Sequence, residues 1–392
     1  MLGSSGTTKL KVALINSIVA RNDAISASVV DTYRMLSTSR RFDLSIFAYR
    51  NDFSDVPFNK VSNISDLILH ENYINADLLI WHFGIYYELF NSLLIGNGHA
   101  PTIVRFHNIT PKEYVPKQNW PVIDLAVRQS HLLRQANELW ADSVVNANAA
   151  RDLGVPEERI RVIPLVVNSA ARVGDNEKNW QCISILFVGR FVPSKGVLDL
   201  LHAIQRIRRN LTNIRFKVDL VGNVEFSNQP YLDSVSQFIK QNELSDIVTM
   251  HGTVDDNTLS FLYSQSHILA IPSYHEGFCK PVIEALGSKC IPIAYDAYNL
   301  PFIVNGLGRI VRSGDIAEFG NTLLELITDL NRAAGCPDAR VLHLANATLS
   351  WNEFCELSSI YIEEFKEKSI GKSIISRIDY LHSAASITTT GP

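Results

Sequence analysis

The sequence lacks the features that mark membrane-spanning, secreted and zinc-binding proteins. No apolar run approaches the roughly 20 residues that a helix needs to cross a bilayer. Met1 to Thr8 is a small polar leader without the apolar core of a secretory signal. The 5 cysteines are odd in number and form no CxxC pair, which suits a reducing compartment and gives no zinc site. We therefore expect a cytoplasmic protein.

Charge of one sign is also not in excess. The formal net charge is -4 at pH 7, and charged residues make up 19% of the chain, so composition gives no reason to expect a nucleic-acid partner. The chain contains no Asp-x-Asp pair and no His/Cys cluster with ligand spacing. We expect no metal and no cofactor.

What the chain does contain is a regular alternation of apolar strand runs and helical segments over 392 residues, enough for two domains. A first series runs from Leu10–Asn16 to a last strand near Arg161–Val166, and a second from Ile183–Val188 to Ile291–Tyr295, with a polar linker between them at Val173–Trp180. Strands that alternate with helices predict doubly wound parallel sheets, hence an α/β fold. We place the domains at residues 1–172 and 181–345, followed by a terminal amphipathic helix at 351–366.

One stretch, Ser273 to Leu286, has the pattern of a ligand-binding loop. It follows the buried strand Ile268–Ile271 and precedes a helix predicted to start at Pro281, so Glu276, Gly277 and Phe278 lie at the carboxyl end of a strand, where ligands bind in open α/β sheets. Free amides at the helix start attract anions, and Gly277 permits close approach. Glu284 is predicted in the first helical turn, where the helix dipole favours a carboxylate without any ligand. An ordinary strand-to-helix loop is therefore the alternative.

A second candidate cluster opens the second domain. Gly189 and Arg190 end its first strand, and Lys195 precedes the next helix. Gly189 eases backbone approach, and the two cations lie near helix-start amides, an arrangement suited to a diphosphate. Two solvated cations on a loop are the alternative.

Taken together, His-Glu-Gly-Phe followed by Pro and Glu-Ala-Leu resembles the signature of the retaining glycosyltransferases of family 4. The resemblance is specific in the second domain and loose in the first. It implies the GT-B fold, in which two Rossmann-like domains face each other across a cleft, and a terminal helix that crosses back to the first domain. It also implies that Glu276 and the Gly277 and Phe278 amides face the donor sugar, Glu284 holds the ribose, and Arg190 and Lys195 hold the diphosphate. Gly222, which ends the strand Phe216–Val221, should border the nucleotide base.

In the first domain the expected contacts are fewer. His107 follows a strand, and the resemblance gives a histidine at a comparable place a role in binding donor and acceptor oxygens; a histidine bonded within the fold is the alternative, and His82 is a weaker second candidate. The Gly-Gly pair usual in the first strand-to-helix loop is replaced by Asn16–Ala24, where Asn16, Ser17 or the amides near Asp23 could substitute. Cys279, inside the key loop, has no activating partner identifiable from sequence, so a small apolar filler is favoured over a nucleophile.

The resemblance implies a metal-independent, retaining transfer of a mannose- or glucose-type hexose from a GDP- or UDP-linked donor. The acceptor would be a hydroxyl of a glycan or of a polyprenyl-diphosphate-linked acceptor, in bacterial surface polysaccharide synthesis. Ile109–Trp120 mixes basic and aromatic residues and could contact the inner face of the cytoplasmic membrane, or simply line the cleft. Two other functions stay open: a non-catalytic nucleotide-sugar binding subunit of a glycosylation complex, and a GT-B nucleotide-sugar epimerase.

Overall fold

The computed structural model describes residues 9–21, 23–167, 178–225, 227–332, 341–344, 347–369 and 372–388. The chain divides into two compact units, one formed by Met1–Val166 with Lys366–Pro392 and the other by Val167–Phe365. Residues 173–177 of the predicted linker lie outside the described residues. In the described part of the chain, no helix combines the length and the apolar character needed to cross a membrane.

The first unit is built around a seven-stranded parallel sheet. Its elements in chain order are β1 (Leu10–Ile15), β2 (Ile18–Val19), α1 (Ala24–Ser37), β3 (Phe42–Ala48), β4 (Arg50–Asn51), β5 (Asn59–Lys60), α2 (Ile64–Ile68), α3 (Glu71–Ile74), β6 (Leu78–Phe83), β7 (Thr102–Phe106), α4 (Trp120–Gln129), β8 (Glu138–Ala141), α5 (Val144–Asp152) and β9 (Ile160–Val162).

Both faces of this sheet are covered. Ala13 and Ile15 belong to one buried cluster, whereas Val12 and Leu14 belong to another, as expected for a strand whose alternate side chains point to opposite faces. The strand order is β5-β3-β1-β6-β7-β8-β9. The chain therefore moves outward on one side of β1 and then returns to its other side, so the switch point lies between β1 and β6.

The second unit repeats this plan with a six-stranded parallel sheet in the order β12-β11-β10-β13-β14-β15. Its elements are β10 (Ile183–Val188), α6 (Val197–Arg208), β11 (Phe216–Val221), α7 (Gln229–Gln241), β12 (Val248–Gly252), α8 (Asp256–Gln265), β13 (Ile268–Ile271), α9 (Lys280–Gly287), β14 (Ile291–Tyr295), α10 (Leu300–Val304), β15 (Arg309–Val311), α11 (Ile316–Arg332), β16 (Val341–His343), β17 (Thr348–Ser350) and α12 (Trp351–Ser369). The predicted α/β fold with parallel sheets is confirmed, and the switch point of this sheet lies between β10 and β13.

A last helix, α13 (Lys372–Thr388), follows in a tail for which the sequence suggested no structure. Ile374, Ile378 and Leu381 share one helical face and are buried in the core of the first unit. The Arg377 guanidinium donates to both carboxylate oxygens of Glu138 on β8. The chain from Lys366 onward thus belongs to the first unit.

Candidate active site

Two loops meet at the switch point of the second unit, one after β10 and one after β13. The amide of Tyr274 donates to the carbonyl of Ser194 at 2.8 Å. Gly196 adopts φ 64°, and a Cβ there would lie 2.0 Å from the carbonyl oxygen of Pro272. Glycine is therefore required at this position both by its left-handed conformation and by the approach of the neighbouring loop. The contact brings the predicted diphosphate loop against the predicted sugar loop.

Two of the predicted site residues form an ion pair across these loops. Lys195 Nζ donates to Glu276 Oε1 at 2.6 Å, and the two side chains are only 18% and 13% exposed. Such charge-assisted hydrogen bonds are stronger than neutral ones, and partial burial reduces the screening of the pair by salt. The ammonium and the carboxylate thus satisfy each other.

Asn299, which the sequence interpretation missed, fixes the shape of the glutamate loop. Its backbone N–H donates to the backbone carbonyl of Glu276 at 3.3 Å, and its side-chain Nδ2 donates to the backbone carbonyl of Phe278 at 2.9 Å. Asn299 is buried, and the Phe278 ring packs against Phe365 with 5.8 Å between ring centroids. The Phe278 side chain is therefore part of the core. A single asparagine before a short helix has no sequence pattern by which it could have been found.

Glu284 lies one residue later in its helix than predicted, which places it just beyond the first turn. Helix α9 begins at Lys280 rather than at Pro281, so Glu284 is its fifth residue and the first turn contains no acidic residue. The dipole argument made for this carboxylate is therefore wrong, because that effect fades beyond the first turn. Instead, the Tyr263 hydroxyl donates to Glu284 Oε2 at 2.8 Å. Burial, followed by the neighbouring Glu284 carboxylate, raises the pKa of Tyr263 well above its usual range, so this tyrosine stays a donor.

Arg190 is the exposed cation of the site. Within the described part of the chain, its side chain makes no hydrogen bond or ion pair. Helix α6 begins just beyond it, after Gly196, with no side-chain cap. An exposed guanidinium beside the start of a helix without a side-chain cap is an arrangement that can bind a phosphate group.

Gly189 and Gly222 have a packing role that is visible in the structure. A Cβ on Gly222 would lie 2.0 Å from the carbonyl oxygen of Gly189, so the loops after β10 and β11 could not meet with any larger residue there. A ligand is not needed to explain Gly222. Its predicted contact with the donor stays a prediction.

Cys279 is buried next to this site and caps α9 with φ 76°, a conformation that L-residues other than glycine rarely adopt. Burial, followed by the charge of Glu276, raises the pKa of its thiol well above the ordinary value. A thiol held protonated and away from solvent is a poor nucleophile. The geometry favours the apolar filler over the nucleophile.

The first-unit histidines form a buried hydrogen-bonded chain. Asp142 accepts from Arg105 Nε at 3.0 Å and from His107 Nδ1 at 2.6 Å. His107 Nε2 faces His82 Nδ1 at 3.0 Å, and the His107 side chain is only 6% exposed. Because a carboxylate only accepts, His107 carries a proton on Nδ1. Both ring nitrogens of His107 are therefore used inside the unit, which matches the alternative of a histidine bonded within the fold.

His82 and Asn16 are also enclosed by their own unit. His82 is fully buried, and its burial, followed by the positive charge that His107 and Arg105 can carry, lowers its pKa well below the usual value. Asn16 is 3% exposed, and its Nδ2 donates to the carbonyl of Ile18 at 2.7 Å. Asn16 thus shapes the loop that replaces the expected Gly-Gly pair, and its contact with a donor stays a prediction.

No group of three or more His, Cys, Asp or Glu side chains with the arrangement of a metal site occurs among the described residues. The metal requirement is therefore a question for the EDTA experiment below.

The fold is that of the GT-B glycosyltransferases. Similar solved structures include sucrose-phosphate synthase from Thermosynechococcus elongatus, with a TM-score of 0.71, 17% identity and coverage of 97% of this chain and 100% of that one. The Anabaena protein HepE in complex with UDP and glucose has a TM-score of 0.65 and 16% identity, with coverage of 97% and 99%. At these identities the likeness is one of fold.

Sequence comparison places the family match in the second unit. Residues 174–336 match the family described as Glycosyl transferases group 1, less than half of the chain. The MMP alpha-(1->4)-mannosyltransferase of Mycolicibacterium hassiacum is 30% identical over 203 residues, 51% of this chain and 47% of that protein. O-antigen chain mannosyltransferase B of Escherichia coli is 24% identical over 174 residues, 43% of this chain and 44% of that protein. The matched part thus spans about half the length of these curated relatives.

Proposed function

We propose that this protein is a retaining glycosyltransferase of family 4. It transfers a mannose- or glucose-type hexose from a GDP- or UDP-linked donor to a hydroxyl of a glycan or lipid-linked acceptor in bacterial surface polysaccharide synthesis. The observation that carries the proposal is the pair of loops at the switch point of the second unit, which brings Lys195 to 2.6 Å from Glu276. The mannosyltransferase names of two relatives support mannose as the first sugar to test.

The chemistry follows from where charge develops. Cleavage of the bond between sugar and diphosphate leaves negative charge on the diphosphate and positive charge on the anomeric carbon. Arg190 and Lys195 stabilise the first charge, and the Glu276 carboxylate holds the sugar near the second. Losing one preorganised donor from such a site costs roughly 3 kcal/mol of barrier. Glu284, oriented by Tyr263, binds the ribose.

Retention of configuration is proposed from the family resemblance. The acceptor hydroxyl attacks the face that the leaving group departs from, and a donor phosphate oxygen takes its proton. No protein base is assigned to this step. The two cations would do the work of a divalent ion, so we expect transfer to be insensitive to EDTA.

The first test is a thermal-shift panel of GDP, UDP, ADP and dTDP and their sugars, with and without EDTA. A ligand that binds only the folded state raises the melting temperature. We expect a shift with one nucleotide class that EDTA does not change, followed by hexose transfer from that donor. Glu276→Ala should abolish transfer with little loss of stability, and Lys195→Ala should weaken both donor binding and turnover. Near-normal transfer by both variants would refute the site assignment.

The same panel separates the alternative functions. A nucleotide shift without transfer to any acceptor, and with conversion of the donor into a second sugar, would identify an epimerase. A shift without turnover of any kind would identify a non-catalytic binding subunit.

We also propose that the loop at Ile109–Trp120 contacts the cytoplasmic membrane face. The Lys112 and Lys117 ammonium groups lie 5.6 and 5.8 Å from the centroid of the Trp120 ring, and each exposed lysine near an anionic surface contributes about 1 kcal/mol. Lys112 also pairs with Asp124 at 2.7 Å, which reduces its contribution. We expect co-sedimentation with anionic liposomes that falls in the Lys117→Gln variant. Equal binding to neutral liposomes would count against the charge-based contact.

A further inference from the structure

The ion pair at the switch point places two proposed donor ligands in competition with the donor itself. Lys195 cannot give its full charge to a diphosphate while Glu276 holds it at 2.6 Å. The backbone of both residues is held in place. Lys195 precedes the left-handed turn at Gly196, and the backbone carbonyl of Glu276 accepts a hydrogen bond from the Asn299 backbone amide. Neither backbone segment needs to move for the pair to form or to break, since the two side chains alone carry the contact.

We propose that Glu276 makes this site discriminate between the loaded donor and the free nucleoside diphosphate. This inference rests on the proposed function. When a diphosphate draws the Lys195 ammonium away, Glu276 is left as a carboxylate that is 13% exposed and has lost its counter-charge. A donor sugar replaces the ammonium with a hydroxyl hydrogen bond to that carboxylate. The free nucleoside diphosphate, which is also the product, offers no such group.

The physical basis is the asymmetry between making and leaving a polar contact. A hydrogen bond exchanged for another changes the binding free energy little, whereas a buried group left without a partner costs its full desolvation. In the donor complex the sugar hydroxyl replaces the lost partner of Glu276, whereas in the complex with the free nucleoside diphosphate Glu276 has no partner. The donor should therefore bind more tightly than the nucleoside diphosphate, and the nucleoside diphosphate product should inhibit the enzyme only weakly.

The test compares two ligands on one charge-neutralised variant. Glu276→Gln keeps the shape of the side chain and removes the charge that holds Lys195. By titration calorimetry, GDP or UDP, whichever binds the wild-type protein, should bind this variant about fivefold more tightly, as expected for release of a partly buried ion pair. The matching GDP-mannose or UDP-glucose should bind less tightly than to wild type. The affinity for the nucleoside diphosphate relative to that for the donor should therefore rise in this variant.

Two further variants show whether Lys195 carries the effect. In a Lys195→Ala background, Glu276→Gln should no longer tighten nucleoside diphosphate binding, because no ammonium remains to be released. Glu284→Gln is the matched control, since it also removes one carboxylate charge from the site, and Glu284 bonds Tyr263 rather than Lys195. The ribose it would bind is common to both ligands, so the affinity ratio should stay at the wild-type value. Circular dichroism melting confirms that each variant is folded.

The outcomes separate this inference from the proposed function. Tighter nucleoside diphosphate binding in Glu276→Gln, lost in the double variant, supports the discrimination. Unchanged or weaker nucleoside diphosphate binding in folded Glu276→Gln overturns it, while wild-type binding and transfer leave the proposed function intact. Wild-type protein that binds neither nucleotides nor nucleotide sugars overturns the proposed function and this inference with it.

Discussion

Arg377 offers the sharpest test of how the last helix is attached to the first unit. Its Nε donates to the two carboxylate oxygens of Glu138 at 3.0 and 2.7 Å, and its Nη2 also donates to Oε2. The Glu138 side chain is only 2% exposed. Arg377→Ala therefore leaves a carboxylate enclosed by protein without the cation that compensates it.

The magnitude follows from what remains around Glu138. Breaking a buried ion pair by removing one partner costs about 3–5 kcal/mol. The Trp140 indole still donates to Glu138 at 2.7 Å, and Arg161 lies 3.9 Å away. Since these contacts keep part of the compensation, we expect Arg377→Ala to lower the free energy of unfolding of the first unit by about 2–3 kcal/mol.

The assay is urea unfolding together with hydrogen exchange in peptides from β8 and α13. Arg41→Ala is the matched control, because Arg41 also pairs with α13, at Asp379, but with side chains that are 58% and 43% exposed. An exposed pair of this kind contributes at most about 1 kcal/mol. If Arg377→Ala cost no more than Arg41→Ala, the argument from burial of Glu138 would be refuted.

Three further predictions concern the candidate active site and the buried histidines of the first unit. Gly196→Ala should weaken nucleotide binding at least tenfold by calorimetry, because its Cβ has no room beside the adjoining loop. The control Gly287→Ala should bind normally, because nothing lies within 4 Å of a Cβ at that position. Equal binding by the two variants would contradict the close approach at Gly196. Burial lowers the pKa of His82, so its ring stays neutral in the folded protein while the unfolded chain takes up a proton below about pH 6.5. The free energy of unfolding should therefore fall as the pH drops below this value. Between pH 6.5 and 5.5, wild type should lose about 1 kcal/mol of unfolding free energy more than His82→Asn in urea titrations, and parallel curves would argue against this. Tyr263→Phe should raise the KM for the donor with a smaller change in kcat, because Glu284 loses its orienting hydroxyl; an unchanged KM would exclude that role.

Local sequence patterns were sufficient for the strands that form the sheets. The bounds predicted for β10 and β13 are those observed, since buried parallel strands are short continuous apolar runs with sharp ends. These features depend on a few neighbouring residues, which is why the sequence alone was enough to predict them.

Contacts between distant segments were beyond such patterns. The first-turn position of Glu284 was wrong by one residue because a helix start at proline leaves its preceding residue ambiguous, and the structure resolves it through the left-handed Cys279. The hydrogen bonds that link Asp142, His107 and His82 join segments with no shared periodicity. The same is true of the ion pair between Arg377 and Glu138. No local signal records such partners.

By itself, the sequence determined the alternation of strands and helices and, through it, which residues follow the carboxyl ends of strands. That much follows from the period of burial and from the rule that such ends lie on one edge of a parallel sheet. Only the tertiary structure decided that Lys195 and Glu276, 81 residues apart, hold each other, and that His107 is used within its own unit. The reason is that side-chain partners depend on strand order, here β10 beside β13, and on a close approach at Gly196 that no residue pattern encodes.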